Sequence, residues 1–379
     1  MSKRGSGEGS IFKRRDGRWA ACLNLGYEGG RRRRKYVYGA TRAEVSNKLQ
    51  QAQRTVADGG ILGADRQTVA RLLETWLAEG AANKVRPRTL QRYAEIVRLH
   101  LIPALGHIRL TRLTPAHIDR AINEAISRGA SPRSVIQHRA VLRRALNVAM
   151  RWGWINRNAA SLSEPPRAGE FEVCALTPSD AKALLDAVRG DRLESLFAVG
   201  LASGLRQGEA LGLRWKDVDL EGRTLSVRQS LQRVNGQWLF AEPKTLHSRR
   251  TLPLAEPVAD ALREHRARQL QERLRAGPGW QGQQWGELVF TDEFGRPLSG
   301  FHVLRRFKSL ISKAGLPPMR YHDLRHGAAS LMAAQGVPAR VAMELLGHSQ
   351  IGTTMNIYTH VGADLQRDAA ERVGAAIWG

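Results

Sequence analysis

The chain has 379 residues, 42% of them apolar, and 59 Lys and Arg against 35 Asp and Glu give it a net charge of +24. This length predicts two or three domains, and this charge predicts a polyanionic partner. Nucleic acid is favoured over an anionic membrane surface because no long apolar run, lipidation motif or secretory signal is present. Only two cysteines occur, Cys22 and Cys174, which excludes a disulfide framework or a zinc finger and fits a reduced cytoplasmic setting.

Residues 1–60 predict a small basic module. The first ten residues are rich in Gly, Ser and charge and predict disorder. The predicted elements that follow are a strand from Ile11, a half-buried strand at Arg18–Leu25, a Gly29–Gly30 turn, a return strand at Arg31–Tyr38 and a helix with a Thr41/Glu44 capping box.

The return strand begins with five consecutive cations, namely Arg31, Arg32, Arg33, Arg34 and Lys35. One interpretation is a solvated edge strand, on which Lys and Arg oppose aggregation. The other is a sheet face that binds DNA, and the neighbouring Tyr36 and Tyr38 favour it.

Residues 64–165 predict a bundle of helices after a glycine-rich linker. Four helices are predicted, beginning near Val69, at Arg88, at Thr114–Pro115 and at Ser131–Pro132, with the second ending before Pro103. The fourth helix carries Arg139, Arg143 and Arg144, whose guanidinium forks suit backbone phosphates. An ordinary solvated helix face is the simpler interpretation.

Residues 172–379 predict the largest domain, which mixes helices and short strands. The predicted elements are helices after Thr177–Pro178 and at Leu193–Ala202, strands at Leu225–Val227, Trp238–Ala241 and Thr251–Leu254, a helix at Glu256–Arg275 and further helices to the end. Asn235–Gly236 predicts a hairpin turn, and Pro243–Thr245 predicts a turn that carries Lys244. A four-residue apolar period from Leu365 to Ile377 predicts a final amphipathic helix.

Six residues of this domain together suit phosphodiester cleavage without a metal or another cofactor: Arg206, Lys244, His322, Arg325, His348 and Tyr358. The transition state gathers negative charge on the non-bridging oxygens, which two Arg forks can hold. A Lys can protonate the leaving 5′ oxygen. A Tyr hydroxyl has a free pKa near 10 and needs an imidazole base and nearby cations to attack at neutral pH.

Each member of this set also has a simpler interpretation. Glu209 follows Arg206 by three residues and could merely be its salt-bridge partner. His322 and His326 are four apart, a zinc-ligand spacing, although no Glu lies between them and no thiol is near. A lone Tyr358 is more often a packing residue than a nucleophile.

The sequence resembles the tyrosine recombinases, or phage-type integrases. The matching segments are SGLRQGEALGLRW (203–215), PKT (243–245), HDLRH (322–326), LLGH (345–348) and IYTH (357–360). The resemblance implies a multidomain, mainly α fold with small β-sheets: an arm-binding β-sheet-plus-helix module (1–60), a helical, SAM-like core-binding domain (64–165) and a mixed α/β catalytic domain with a C-terminal exchange helix (172–379).

The resemblance also implies a role for each matched residue. Arg206 and Arg325 would bind the scissile phosphate, Lys244 would be the general acid and His322 the base.

The resemblance implies roles for His348, Tyr358 and Glu209 as well. His348 would donate to the phosphate, and Tyr358 would attack it to form a 3′-phosphotyrosyl link. Glu209 would orient the pocket. No metal or ATP is implied, because the covalent link conserves the bond energy.

The implied activity is integration, and excision, of a phage or other mobile element. The implied partners are double-stranded DNA attachment sites of core and arm type, a homotetramer on DNA, and DNA-bending and directionality factors in the bacterial cytoplasm or nucleoid. Three alternatives stay open: a type IB topoisomerase acting as one subunit, a chromosome-dimer resolvase, and a DNA-binding repressor without chemistry.

Overall fold

A computed structural model describes residues 10–28, 31–57, 67–169, 176–243, 249–348, 350–358, 371 and 373–378. Spatial contacts divide the chain into two units, Met1–Gly169 and Glu170–Gly379. Buried apolar side chains form three main clusters, within residues 21–52, 69–160 and 176–324. In the described part of the chain, no helix has both the length and the apolarity needed to span a bilayer.

The N-terminal module is a three-stranded antiparallel sheet and one helix, as predicted. Its elements are β1 (Ser10–Lys13), β2 (Trp19–Glu28), β3 (Arg31–Gly39) and α1 (Arg42–Ala57), with strand order β1-β2-β3. Ala21 and Leu23 of β2 pack with Val45 and Leu49 of α1. The backbone N–H of Glu44 donates to the Thr41 hydroxyl at the helix start. The predicted Gly29–Gly30 turn lies outside the described residues.

The helical segment has more elements than the four predicted helices. They are α2 (Val69–Thr75), a π-helical segment (Trp76–Ala81), α3 (Pro87–Ile96), a second π-helical segment (Val97–Leu101), α4 (Ile102–Leu105), a 3₁₀ turn (Leu110–Arg112), α5 (Pro115–Ser127), α6 (Pro132–Arg151) and α7 (Ala159–Leu162). Thr114 and Ser131 cap α5 and α6, as predicted.

The predicted end of the second helix before Pro103 is wrong. The helical backbone that begins at Pro87 runs without a break to Leu105 and includes Pro103. A proline in a helix removes one backbone donor and crowds the preceding turn. Here the preceding turn, Val97–Leu101, is π-helical, and a wider turn of this kind accommodates the ring.

The second unit has the predicted mixture of helices and short strands. Its elements are α8 (Pro178–Val188), α9 (Glu194–Ser203), α10 (Gln207–Leu211), β4 (Val218–Asp219), β5 (Thr224–Val227), β6 (Ser230–Val234), β7 (Gln237–Ala241), β8 (Arg250–Pro253), α11 (Glu256–Ala276), α12 (Gly300–Lys313), α13 (Tyr321–Ala334), α14 (Ala339–Leu346) and α15 (Ile351–Tyr358), with 3₁₀ turns at Trp215–Asp217, Gly277–Gly279 and Gly282–Trp285. Residues 373–378 are also helical.

The strand β6 is not among the strands predicted from the sequence. Asn235 and Gly236 have φ values of 48° and 81° and form the predicted two-residue turn. That turn places Val234 opposite Gln237 and pairs β7 with β6. β5 therefore pairs with β8 and β4 in a separate three-stranded sheet. A two-residue turn fixes the partner strand, and here the partner is β6, which lies immediately before the turn.

Candidate active site

Arg206 lies at the start of α10, directly after the end of α9. α9 ends at Gly204, whose φ of 61° is left-handed and where an added Cβ would lie 2.4 Å from Leu346 Cδ2. The Arg206 backbone N–H donates to Glu209 Oε2 (3.1 Å), and its Nη1 donates to Oε1 (2.6 Å). The Nη2 of Arg206 donates to the Gly347 carbonyl at 3.1 Å. Glu209 is therefore its salt-bridge partner, and it also fixes the direction of the guanidinium.

Arg325 lies on α13 and is almost wholly buried, with 2% of its surface exposed. Its Nη1 donates to the carbonyl oxygen of Gly204 at 2.7 Å, but its Nη2 is buried without a hydrogen-bond partner among the described residues. Burial, and then the positive charge of Arg206, lower the pKa of Arg325 to about 9, so it is still protonated at neutral pH. An unpaired buried cationic donor is costly, and an anion would satisfy it.

Arg250, the first residue of β8, belongs to the same cluster and was not among the predicted site residues. Its Nη2 donates to Glu209 Oε2 (3.1 Å) and its Nε to the Leu345 carbonyl (2.7 Å), with 7% of the side chain exposed. The signal in the sequence is the period of two along the strand. Arg250 and Leu252 lie on the inner side, whereas Arg249, the residue before the strand, faces solvent and pairs with Glu242.

Glu209 is the carboxylate shared by two of these three arginines. Burial raises the pKa of Glu209, but the charges of Arg250 and Arg206 outweigh burial and hold the pKa below its ordinary value of 4.5. Glu209 is therefore ionised at neutral pH. Three guanidinium groups around one carboxylate leave an excess of positive charge in a largely buried place, which suits an anionic ligand.

His348 follows Gly347, whose left-handed φ of 66° ends α14. Its Nδ1 lies 2.9 Å from the hydroxyl oxygen of Thr354, on α15. Burial, followed by the charges of Arg325 and Arg206, lowers the pKa of His348 to about 3. The imidazole is therefore neutral and can donate one N–H.

His322 and His326 lie one turn apart on α13 with their rings edge to face, 4.8 Å between centroids. Burial, then His326 and Arg325, lower the pKa of His322 to about 4, so it is a neutral imidazole that can accept a proton. His326 Nδ1 is buried without a hydrogen-bond partner in the described part of the chain. Across those described ranges, no three His, Cys, Asp or Glu side chains are grouped so as to hold a metal.

Tyr358 is the last residue of α15 and its side chain is half-buried. Its hydroxyl donates to the carbonyl oxygen of Val337 at 3.0 Å. Burial raises the pKa of Tyr358 above the ordinary value. Hydrogen bonds thus join Arg206 to Glu209 and to Gly347, the residue before His348, while the hydroxyl of Tyr358 is bonded elsewhere. Lys244 lies outside the described residues.

A model described as "Phage integrase family" matches residues 175–364. The chain belongs to the phage integrase family. A second model, "Phage integrase, N-terminal SAM-like domain", matches residues 68–126. As a member of this family the chain is a tyrosine-type site-specific DNA recombinase.

Two relatives match this integrase over nearly their whole length. A "Tyrosine recombinase XerC-like" protein of Caldanaerobacter subterraneus subsp. tengcongensis is 30% identical, over 91% of this chain and 92% of the relative. An integrase of Streptomyces ambofaciens is 32% identical over 94% of each chain. The Tn1549 transposon integrase, solved in complex with transposon right end DNA, shares the fold with a TM-score of 0.70 at 23% identity, over 81% of this chain and all of that one.

The cations predicted to bind DNA in the helical segment differ in their surroundings. Arg139 is half-buried and donates to the hydroxyl (2.8 Å) and the carbonyl oxygen of Ser163. Arg144 is exposed, donates to the Tyr93 hydroxyl at 3.1 Å and lies over the Tyr93 ring. Arg143 is exposed as well. Arg143 and Arg144 are thus more accessible to a phosphate than Arg139 is.

On the N-terminal sheet, β3 is an edge strand. Arg34, Tyr36 and Tyr38 are exposed and alternate with half-buried residues, and the Arg14 guanidinium lies 5.2 Å from the centre of the Tyr38 ring. The side chains of Arg31, Arg32 and Arg33 lie outside the described residues. Both interpretations of the basic strand, a protected edge and a DNA-binding face, remain predictions.

Proposed function

We propose that this integrase cuts and rejoins DNA through a 3′-phosphotyrosyl intermediate at Tyr358, and that it integrates and excises a phage or other mobile element. The observation that carries the proposal is the buried cationic pocket of Arg206, Arg250 and Arg325. In this pocket one guanidinium nitrogen, Nη2 of Arg325, has no partner among the described residues. A phosphodiester supplies the oxygens that such a pocket lacks.

The roles proposed for the pocket residues follow from their donors and acceptors. Arg325, Arg206 and His348 hold the non-bridging oxygens of the scissile phosphate and stabilise the charge that grows there. Arg206 can do so because Glu209 orients its guanidinium, and 40% of its side chain is still exposed.

The exchange of bonds at phosphorus requires that the phenolic proton of Tyr358 is removed and that a proton is delivered to the leaving 5′ oxygen. The Tyr358 oxygen attacks the phosphorus as neutral His322 accepts the phenolic proton. The bond from phosphorus to the 5′ oxygen breaks, and Lys244 protonates that oxygen. Attack by a 5′ hydroxyl on the phosphotyrosyl link reverses these steps and rejoins a strand without an external energy source.

Attack also requires Tyr358 to change its hydrogen bonding. Its hydroxyl now donates to the Val337 carbonyl, an acceptor that leaves the phenol protonated. The hydroxyl must leave that carbonyl before it can reach a phosphate. We propose that docking of DNA favours this step.

The proposed partners are double-stranded core-type and arm-type attachment sites in the bacterial cytoplasm or nucleoid, with DNA-bending and directionality factors. The net charge of +24 and the DNA complex of the Tn1549 integrase support a DNA partner. Assembly as a homotetramer is supported by the C-terminal helical residues 373–378, in which Ile377 and Trp378 are 61% and 83% exposed. The proposed domains are 1–60, 64–165 and 172–379.

The test is a nicked suicide substrate. Duplexes that the full chain selects from a randomised library are labelled at the 5′ end of one strand, and a nick is placed just 3′ of the mapped cleavage position. Cleavage releases a short 5′-hydroxyl fragment and traps the chain on the labelled strand. We expect a covalent adduct without added metal, and a phosphorylated peptide that contains Tyr358.

Two controls separate the alternatives. Tyr358→Phe should bind the same duplex and form no adduct, whereas an adduct with this variant would assign the nucleophile to another residue. A repressor would bind the duplex without forming an adduct in the wild-type chain. A topoisomerase would relax supercoiled plasmid without joining two separate sites, and an integrase joins them.

A further inference from the structure

Thr354, on α15, makes one contact that the proposed chemistry does not use. Its side chain has no exposed surface, and its hydroxyl oxygen lies 2.9 Å from Nδ1 of His348. Among the described residues this is the only hydrogen bond of that hydroxyl. The Thr354 hydroxyl and the neutral His348 imidazole each carry one proton. Because the hydroxyl has this single partner in the described part of the chain, the contact restricts where the two protons can lie.

Two arrangements of the protons are possible across this contact. If Nδ1 of His348 carries the proton and donates, the proton of the Thr354 hydroxyl has no acceptor among the described residues, and an unsatisfied buried donor is unfavourable. If the hydroxyl donates to Nδ1 instead, its proton has an acceptor and the contact leaves no buried donor unsatisfied. The second arrangement leaves the single proton of a neutral imidazole on Nε2.

The other ring nitrogen is free to bind a ligand. Nε2 of His348 makes no hydrogen bond to any residue that the structure describes, and it is not among the buried atoms that lack a partner. The ring lies close enough to Arg325 and Arg206 for their charges to depress its pKa. An N–H at this position would complete a set of donors around one anion.

We infer that Thr354 is a positioning residue: its hydroxyl donates to Nδ1 of His348 and holds the ring as the Nε2–H tautomer, ready to donate to a phosphate oxygen. The inference rests on the role proposed above for His348. Thr354 precedes Tyr358 by four residues on α15, so the helix that carries the nucleophile also carries the group that orients a phosphate donor.

The test compares two substitutions of Thr354 in the suicide-substrate reaction. Thr354→Val keeps the shape and removes the hydroxyl, so both tautomers become available. We expect its adduct to form about 10- to 100-fold more slowly, the range found when a metal-ligating histidine loses the hydrogen-bond partner that orients its ring. Thr354→Ser should react at close to the wild-type rate. Thr291→Val, which removes another buried hydroxyl of this unit, should leave the rate unchanged.

A double-mutant cycle shows whether Thr354 acts through His348. In a His348→Ala background, Thr354→Val should cause no further loss. A wild-type rate for Thr354→Val would overturn the inference, as would an equal loss in Thr354→Ser or a full additional loss in the His348→Ala background.

A measurement without DNA separates this inference from the proposed function. Nitrogen-15 spectra of histidine-labelled full chain should show an unprotonated Nδ1 and a protonated Nε2 for His348, and a mixture of tautomers in Thr354→Val. A protonated Nδ1 in the wild-type chain would overturn the inference. Failure of the wild-type chain to form any adduct would overturn the proposed function and leave this spectrum to decide the tautomer.

Discussion

The hydroxyl of Tyr358 donates a 3.0 Å hydrogen bond to the carbonyl oxygen of Val337, in the loop between α13 and α14. A carbonyl oxygen can only accept, so this contact holds the phenol in its protonated form. Burial also favours the protonated phenol by raising the pKa of Tyr358, whereas neighbouring cations would lower that pKa. In this conformation Tyr358, the proposed nucleophile, is therefore not activated.

The ionisation of Tyr358 tests that description. Because burial raises its pKa, the phenol of the DNA-free chain should ionise above the ordinary value of 10.0. The difference in ultraviolet absorbance between the wild-type chain and Tyr358→Phe, followed through an alkaline titration, isolates this one group. Ionisation below the ordinary value would mean that the arginine pocket already acts on the hydroxyl.

Arg325 predicts a specific response to small anions. Its Nη2, which has no hydrogen-bond partner among the described residues, should bind inorganic phosphate. A ligand present at ten times its dissociation constant raises the free energy of unfolding by about 1.4 kcal/mol. Thermal unfolding of the full chain should shift upward with added phosphate and shift much less in Arg325→Met. Phosphate also stabilises proteins in general, and the variant corrects for that effect. Equal shifts in the two proteins would show that the pocket does not bind the anion.

Arg250 is buried and the adjacent Arg249 is exposed, so substitutions at these two positions can be compared directly. Arg250→Met removes a buried partner of Glu209, and breaking a buried ion pair costs about 3–5 kcal/mol. Arg249→Met removes an exposed ion pair with Glu242 and should change stability by less than about 0.5 kcal/mol. Urea unfolding measures both. Similar values for the two variants would contradict the structural role given to Arg250.

The basic strand predicts a change in the salt dependence of DNA binding. Replacing Arg31–Lys35 by Gln should weaken binding and reduce the slope of log K against log salt by about 0.9 for each DNA phosphate that the variant no longer neutralises. A control removes the same charge from five ion-paired arginines of the second unit, namely Arg189, Arg263, Arg273, Arg296 and Arg340. If the two variants respond alike, the strand contributes only net charge and not a binding face.

Much of the fold follows from local signals in the sequence. Thr114, Ser131 and Thr177 each precede a proline and an apolar stripe, and each caps a helix. Caps and periodicity are properties of adjacent residues and can be read directly. The partner of β7 and the passage of a helix through Pro103 depend on pairing and on a widened turn, which local signals do not contain.

The sequence predicts some residues of the candidate site but not others. The residue types of Arg206 and Arg325 make them candidates, and in the structure Arg206 donates to the Gly347 carbonyl and Arg325 to the Gly204 carbonyl. Arg250 was overlooked because its importance comes from burial beside Glu209, which only the tertiary fold creates. The bond from Tyr358 to Val337 could not be predicted either, because it joins residues 21 apart that only the tertiary fold brings together.

The hydrogen bonds that close the anion pocket join residues that are far apart in the chain. Arg206 and Gly347 are separated by 141 residues, and Arg325 and Gly204 by 121. Pairings of this range form late, after the intervening loop has closed. A chain emerging from the ribosome therefore presents the cations of its first unit well before the arginine cluster of the second unit has formed. In the proposed mechanism, DNA cutting thus waits until synthesis of the second unit is almost complete.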